Sequence, residues 1–425
     1  SVSTLPEHKA DAVRTAEWLR DELNRAGMTR SELMATPLHP MVYAEWLGAP
    51  GKPTVLVYGH YDVQPADPLN EWETPPFAPS VRGEYLYARG VSDMKGQIFA
   101  QIKAVEALAR HGALPVNLKY LLEGEEEIGS PSLETFIDEH RELLACDFVL
   151  NCDSGILAPD LPSLVYALRG LAYFELEIRG PQKDLHSGLF GGSVHNPGQV
   201  LCELVAGMHD EQGRVTLPGF YDAVVPLDDE ERRQIARWPI ADDQWKAMTG
   251  APELWGEAGY TTLERVGGRP TLEVNGLVSG FIGEGAKTVL PAKALAKLSC
   301  RLVANQEPAS IKAMLEQYLA ARAPKTVSWQ VRELSHGPGA LMDRNSEPIK
   351  AAAKALKTVF GMEPILRREG GSIPVVAVLQ QTLGVESVLL GFGLPEDGIH
   401  GPNEKQHLPT LFKGIEAYVH FLAGF

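Results

Sequence analysis

"TVLVYGHYDVQP", residues 54–65, is the stretch on which the fold turns. Its first residues form an uninterrupted apolar run, read as a buried strand, and that strand ends by presenting His60 and Asp62 two positions apart. Such a pair is either a metal ligand with the carboxylate that orients it, or an ordinary hydrogen-bonded turn. The residues on either side must decide.

Outward from this stretch, short apolar runs alternate with helical patterns through the first 165 residues. A helix is predicted over 7–26, a strand over 54–59, a helix over 96–111, a strand over 116–122, a helix over 131–144 and a strand over 146–152. Strands separated by helices imply a mixed or parallel sheet with helices on both faces, an α/β domain. From about residue 168 the character changes. "YFELEIRG" alternates with period two, a helical stretch covers 197–209, and 213–270 reads as an irregular insertion with helices. Then "PTLEVNGLVSG" and "AKALAKLSCRLV" read as strands, "EPASIKAMLEQYLAARA" as a helix and "TVSWQVREL" as a strand. Strand, helix, strand, strand, helix, strand is the order of a ferredoxin-like α+β unit. The α/β style returns with helices over 347–360, 372–383 and 409–423 and a strand over 386–391. The expected organisation is therefore a catalytic domain (1–167 and 368–425) interrupted by a lid or dimerisation domain (168–367).

Composition narrows the function. The 425 residues are 44% hydrophobic and 22% charged with a formal net charge of -16, ordinary globular material whose acidity disfavours nucleic acid and anionic membrane as partners. Four cysteines without a C-x-x-C pair read as reduced intracellular thiols, and no run of eighteen apolar residues occurs, so a cytoplasmic location is expected. The chain opens on Ser1 rather than Met, compatible with a segment upstream.

Ligands of open α/β sheets gather beyond the carboxyl ends of the strands. Each predicted strand end here carries acid or imidazole: His60 and Asp62, then Asp93 in "EYLYARGVSDMKG", the glutamates of "LKYLLEGEEEIGS", Asp153 in "DFVLNCDSG" and His400 in "SVLLGFGLPEDGIHGPNEK". Taken singly, Asp93 is equally a helix N-cap, Asp153 a turn residue, the glutamates a solvated edge and His400 a loop histidine. Together, two imidazoles and three carboxylates are the donor set of a pair of divalent cations sharing one carboxylate, with Asp62 fixing the tautomer of His60. The extra acid of "EGEEEIGS" offers a general base, since neighbours on an extended segment face opposite ways. A near match to a phosphate loop, "GFIGEGAKT", fails because Ala286 follows the glycine where a lysine is required.

Seven blocks in order, "GHYDVQP", "GVSDMKGQ", "EGEEEIGS", "NCDSG", "DLHSGLFGGSVHNP", "REGGSIPV" and "GIHGPNEK", resemble the di-metal aminopeptidase, carboxypeptidase and aminoacylase superfamily. Within it, the resemblance is to the branch of cytosolic non-specific dipeptidase and carnosinase, from about residue 40 to the C-terminus. It implies that His60, Asp93 and Asp153 hold one ion and that Asp93, Glu127 and His400 hold the other, Zn²⁺ first with Mn²⁺ or Co²⁺ as alternatives. It implies Glu126 as general base, with Glu125 as a third carboxylate that complicates the assignment. Met94 departs from the second aspartate common in relatives, a departure expected to matter little. His186 is implied to reach the partner's active site in a homodimer and stabilise the oxyanion, and Thr288, Arg301 and Ser372 to bind the substrate carboxylate; a structural salt bridge is the other reading of Arg301. The expected activity is hydrolysis of dipeptides or very short peptides with a free C-terminal carboxylate. An N-acyl-amino-acid deacylase on the same scaffold, or a non-catalytic binding or dimerisation protein, are the alternatives.

Overall fold

The computed structural model describes residues 1–425 except Ala113 and Ser372. The chain divides into two compact units: Ser1–Tyr166, Met342–Arg367 and Val375–Phe425 form the first, and Ala167–Leu341 with Arg368–Pro374 the second. Residues 342–367, expected within the interruption, therefore group with the first unit. The reason is packing, since helix Glu347–Phe360 lies against the C-terminal helix Leu408–Leu422, which also packs on Lys95–Arg110.

The first unit is built on a mixed sheet. Thr54–His60 pairs in parallel with Asn117–Glu123 on one side and Phe148–Asn151 on the other, and Glu386–Leu389 adds in parallel beyond Phe148–Asn151. These four strands are almost wholly buried, which explains their continuous apolar runs. The edge beside Asn117–Glu123 is completed by an antiparallel pair, Met41–Trp46 and Arg30–Met34, that the sequence patterns left unassigned. Because the four central strands run the same way, their carboxyl ends open at one edge: His60 is in register with Glu123, and Tyr58 and Leu389 with Asn151.

The second unit contains a four-stranded antiparallel sheet in the order Thr271–Ser279, Lys293–Leu302, Gly170–Arg179, Ser328–Gly337. With helices Pro197–Ala206 and Pro308–Arg322 this is the expected ferredoxin-like arrangement. Strict alternation of burial along Gly170–Arg179 sends Ala172, Phe174, Leu176 and Ile178 into a core shared with Val200, Leu204, Ile311 and Leu315 of the two helices. The insertion 213–270 is ordered. It carries helices Asp229–Ile235 and Thr262–Gly268, each begun by a capping box, and a buried ion pair, Arg269–Glu257, while Glu231 pairs with Arg368 from outside it.

Candidate metal centre

At the carboxyl edge of the first unit's sheet, three strand ends meet the segment that carries Asp93 and the loop that carries His400, bringing together the candidate metal ligands singled out above. His60 closes its strand and is fully buried; its Nε2 stands 3.1 Å from Asp93 Oδ1. Asp93, just ahead of helix Lys95–Arg110, turns its other oxygen to His400 Nε2 at 2.9 Å, and His400 also lies 3.3 Å from Glu127 Oε2. Ligand atoms of His60, Asp93 and Asp153 fall within 4.8 Å of one another, as do those of Asp93, Glu127 and His400. Asp93 thus belongs to both triads, one oxygen towards each imidazole. Three carboxylates against two imidazoles leave an excess of negative charge that two divalent cations would relieve, so the donor set fits them.

The charges respond accordingly. Burial opposes a charged His60, but Asp62 and Asp93 hold its pKa well above the ordinary value. Desolvation, and then Asp93 beside it, push Asp153 up to about 8. Burial likewise would raise Asp93, yet His400 and His60 hold it well below the usual carboxylate range.

Asp62 is fully buried with Oδ1 3.3 Å from His60 Nδ1, and it does a second job. The backbone N–H groups of Glu126 and Glu127 donate to its two oxygens at 3.3 and 3.1 Å, which pins the turn after strand Asn117–Glu123. That turn separates the acids of "EGEEEIGS" by role. Glu125 accepts from Thr36 Oγ1 (2.8 Å), His39 N–H (2.9 Å) and Ser132 N–H (3.1 Å), so its carboxylate is occupied in joining loops. Glu127 receives Gln64 Nε2 at 2.7 Å and faces His400. Glu126 is raised to about 7, chiefly by burial and also by Glu127 and Asp93. A carboxyl so poised is suited to exchanging protons near neutrality. Met94 is buried, and its sulfur receives the His60 N–H at 3.3 Å.

Sequence reasoning passed over Gln64, although it stands two residues after Asp62 on an extended segment, where side chains share a face. It also passed over Glu404 and Asp397, which no strand end announces.

The remaining candidates lie in the second unit. His186 is exposed and accepts the Gly188 N–H on Nδ1 at 3.0 Å. Thr288 is adjacent to it: the Ser187 N–H donates to the Thr288 carbonyl at 3.1 Å, and His186 pairs with Val289. Arg301 sits on the sheet face opposite the helix core, paired with Thr271 and Leu171. It borders a cavity of about 430 Å³ with Arg169, His209, Trp255, Glu273 and Ser299. Burial, and then Arg301 nearby, lower the Arg169 guanidinium to about 10. Ser372 lies outside the described residues.

The family model for Peptidase family M20/M25/M40 matches residues 56–424. The chain is 34% identical to the Cys-Gly metallodipeptidase DUG1 of Candida albicans over 99% of its length and 92% of the relative's. It is 30% identical to the human Beta-Ala-His dipeptidase over 99% and 86%. Among solved structures, the M20 family metallo-carboxypeptidase Sso-CP2 from Sulfolobus solfataricus superposes with a TM-score of 0.86 at 34% identity, covering 100% of this chain and 95% of the other. With a whole-length match of this kind and two triads of metal-ligating side chains joined by Asp93, the chain belongs to peptidase family M20/M25/M40 and is a metallopeptidase.

Proposed function

We propose that this enzyme hydrolyses the peptide bond of dipeptides or very short peptides bearing a free C-terminal carboxylate, with two divalent cations per chain. The observation that carries the reading is the placing of Glu126, raised to about 7, beside the two triads that share Asp93. The relatives named for Cys-Gly and Beta-Ala-His support it, since in each case the substrate is a dipeptide.

His60, Asp93 and Asp153 would hold one cation and Asp93, Glu127 and His400 the other. Bound there, the cations supply Lewis-acid polarisation of the scissile carbonyl and acidify water. Zn²⁺ is the proposed ion; carboxylate-rich ligation with two imidazoles also accepts Mn²⁺ or Co²⁺. Asp62 keeps His60 in one orientation and holds the Glu126 turn. The Glu126 carboxylate takes a proton from the attacking water and passes it to the leaving amine nitrogen. Arg301, with Thr288 and Ser372, binds the substrate carboxylate, a planar anion that a guanidinium grips with two parallel hydrogen bonds.

The second unit acts as lid and dimerisation domain, and His186 steadies the oxyanion in the partner's site. An edge strand supports the homodimer: Thr271–Ser279 exposes Val274, Leu277 and Val278, and Phe281 and Ile282 are exposed just beyond it. All four cysteines are free thiols, which suits the cytoplasm, and among the described residues no helix is long and apolar enough to cross a membrane.

The test is hydrolysis of a free dipeptide beside the matching N-acetyl amino acid, with chelator-stripped protein before and after adding Zn²⁺ or Mn²⁺. Metal-restored cleavage of the dipeptide alone is expected. Cleavage of the acetylated compound alone would replace this reading with the deacylase.

A further inference from the structure

The block "GIHGPNEK" contributes His400 to the candidate centre, and its last four residues take no part in the mechanism above. Glu404 is 1% exposed, yet it carries a carboxylate. Its Oε2 accepts Arg89 Nη1 at 2.8 Å and the Gly90 N–H at 2.9 Å; its Oε1 accepts the Ser92 N–H at 3.0 Å and the Asp93 N–H at 3.1 Å. All four partners lie in residues 89–93, and the last is the amide of Asp93 itself. The backbone closes the same contact, the Ala88 N–H donating to the Glu404 carbonyl at 3.1 Å.

Asp397 makes a second attachment between the same segments. Its Oδ2 accepts Ser92 Oγ at 2.6 Å and the Leu394 N–H at 2.8 Å, and the Lys405 N–H closes back on its carbonyl at 2.8 Å. His400 lies between these two anchors on a loop drawn tight. Gly398, His400 and Asn403 all have positive φ, and Asn403 is tied to the Glu73 N–H (2.9 Å) and the Glu71 carbonyl (2.8 Å). Asp93 and His400, 307 residues apart in the chain, thus hang from one pair of buried carboxylates.

We propose that Glu404 is a positioning residue that, with Asp397, sets Asp93 and His400 at ligand spacing before any cation arrives. This rests on the reading of those two residues as ligands. The chemistry explains why a carboxylate is required. Two oxygens offer about four lone-pair directions for four N–H donors. A glutamine has one acceptor oxygen, and its NH₂ would meet two of those donors head-on. The effect passes through Asp93, which serves both triads, so both stepwise affinities should respond.

The experiment measures stepwise Zn²⁺ affinity of the full chain by competition with a chromophoric chelator, with far-UV circular dichroism and thermal unfolding of the same samples. Glu404→Gln is expected to keep the wild-type spectrum and weaken both steps by about 10- to 100-fold, the usual scale for groups that orient metal ligands. Glu257→Gln is the control, since it breaks a buried ion pair with Arg269 remote in sequence from every ligand. It should lower the melting temperature and leave both affinities unchanged. Should Glu404→Gln fail to fold, Ser92→Ala removes only the hydroxyl bridge to Asp397 and is expected to weaken binding several-fold. A Glu404→Gln protein that loses melting temperature but binds Zn²⁺ within twofold of wild type overturns the proposal, as does an unchanged Ser92→Ala. A wild-type chain that binds no Zn²⁺ or Mn²⁺ overturns the metal-centre reading itself, and this proposal with it.

Discussion

Replacing Glu123 by glutamine should make this protein more stable at alkaline pH and leave it nearly unchanged at acid pH. Glu123 closes strand Asn117–Glu123 in register with His60 and is fully buried. Its Oε1 accepts Tyr58 Oη at 2.6 Å and Ser130 Oγ at 2.9 Å, whereas Oε2 has no hydrogen-bond partner among the described residues. Burial therefore raises its pKa from the ordinary 4.5 to about 7, Tyr58 and Ser130 only partly offsetting it. Between those values the folded chain binds a proton that the unfolded chain releases, so stability declines as pH rises through the interval. The contribution is fully present below 4.5 and lost above about 7. At about 1.4 kcal/mol per pKa unit, the gap between 4.5 and about 7 amounts to on the order of 3 kcal/mol. Glutamine keeps the shape and the Oε1 acceptor without the charge. Urea unfolding of metal-free wild type and Glu123→Gln at pH 5 and pH 8, compared as a difference at each pH, isolates this carboxyl from others that titrate in both proteins. The variant should match wild type within about 1 kcal/mol at pH 5 and exceed it by up to about 3 kcal/mol at pH 8. A difference that is the same at both pH values would refute the reasoning.

Four further outcomes test the mechanism and the fold. Glu126→Ala should lower kcat by about 10²- to 10⁴-fold with both cations still bound by elemental analysis; full activity would remove it as the base. Arg301→Ala should cost kcat/KM for a dipeptide about 2 to 5 kcal/mol, and an unchanged value takes the guanidinium out of the substrate site. Mixing inactive His186→Ala with inactive Glu126→Ala should restore part of the activity as mixed dimers form, while verified mixed dimers without activity would rule out a shared site. Arg368→Met strips Glu231 of a buried partner and should destabilise the second unit by about 3 to 5 kcal/mol in urea unfolding; a loss under about 1 kcal/mol would show that the pair contributes little.

Most of the candidate centre was legible because parallel strands obey a geometric rule. Once 54–59, 116–122 and 146–152 are read as neighbouring strands of an α/β sheet, His60, the glutamates and Asp153 just beyond them must converge, whereas Asp93 comes from the segment ahead of helix Lys95–Arg110 and His400 from a loop well past Glu386–Leu389. The roles within "EGEEEIGS" were not legible in this way, because what occupies Glu125 is Thr36, His39 and Ser132, and no local pattern shows them. The small sheet of Ser80–Arg82, Tyr85–Tyr87 and Lys405–His407 escaped for the same reason, its third strand arriving from more than 300 residues away. The antiparallel pair over 30–46 was missed because Arg30–Met34, at the sheet edge and nowhere fully buried, carries no apolar run, and its partner Met41–Trp46 becomes polar towards its end. In 213–270 the capping boxes at Asp228 and Thr261 were readable, but of its two buried ion pairs Arg368–Glu231 joins the region to a residue more than 130 positions away, which no local pattern shows. Residues 342–367 were read correctly as containing a helix, yet periodicity says nothing of which helix it packs against.

The first unit is assembled from both ends of the chain, and this gives the centre a history during synthesis. His60, Asp93, Glu127 and Asp153 leave the ribosome early, whereas His400 follows only after the whole of Ala167–Leu341 has been made. The side chains of both triads other than His400 therefore emerge long before Asp397 and Glu404, whose carboxylates hold the Asp93 segment, so neither triad reaches its final spacing until residues 397–404 have been made.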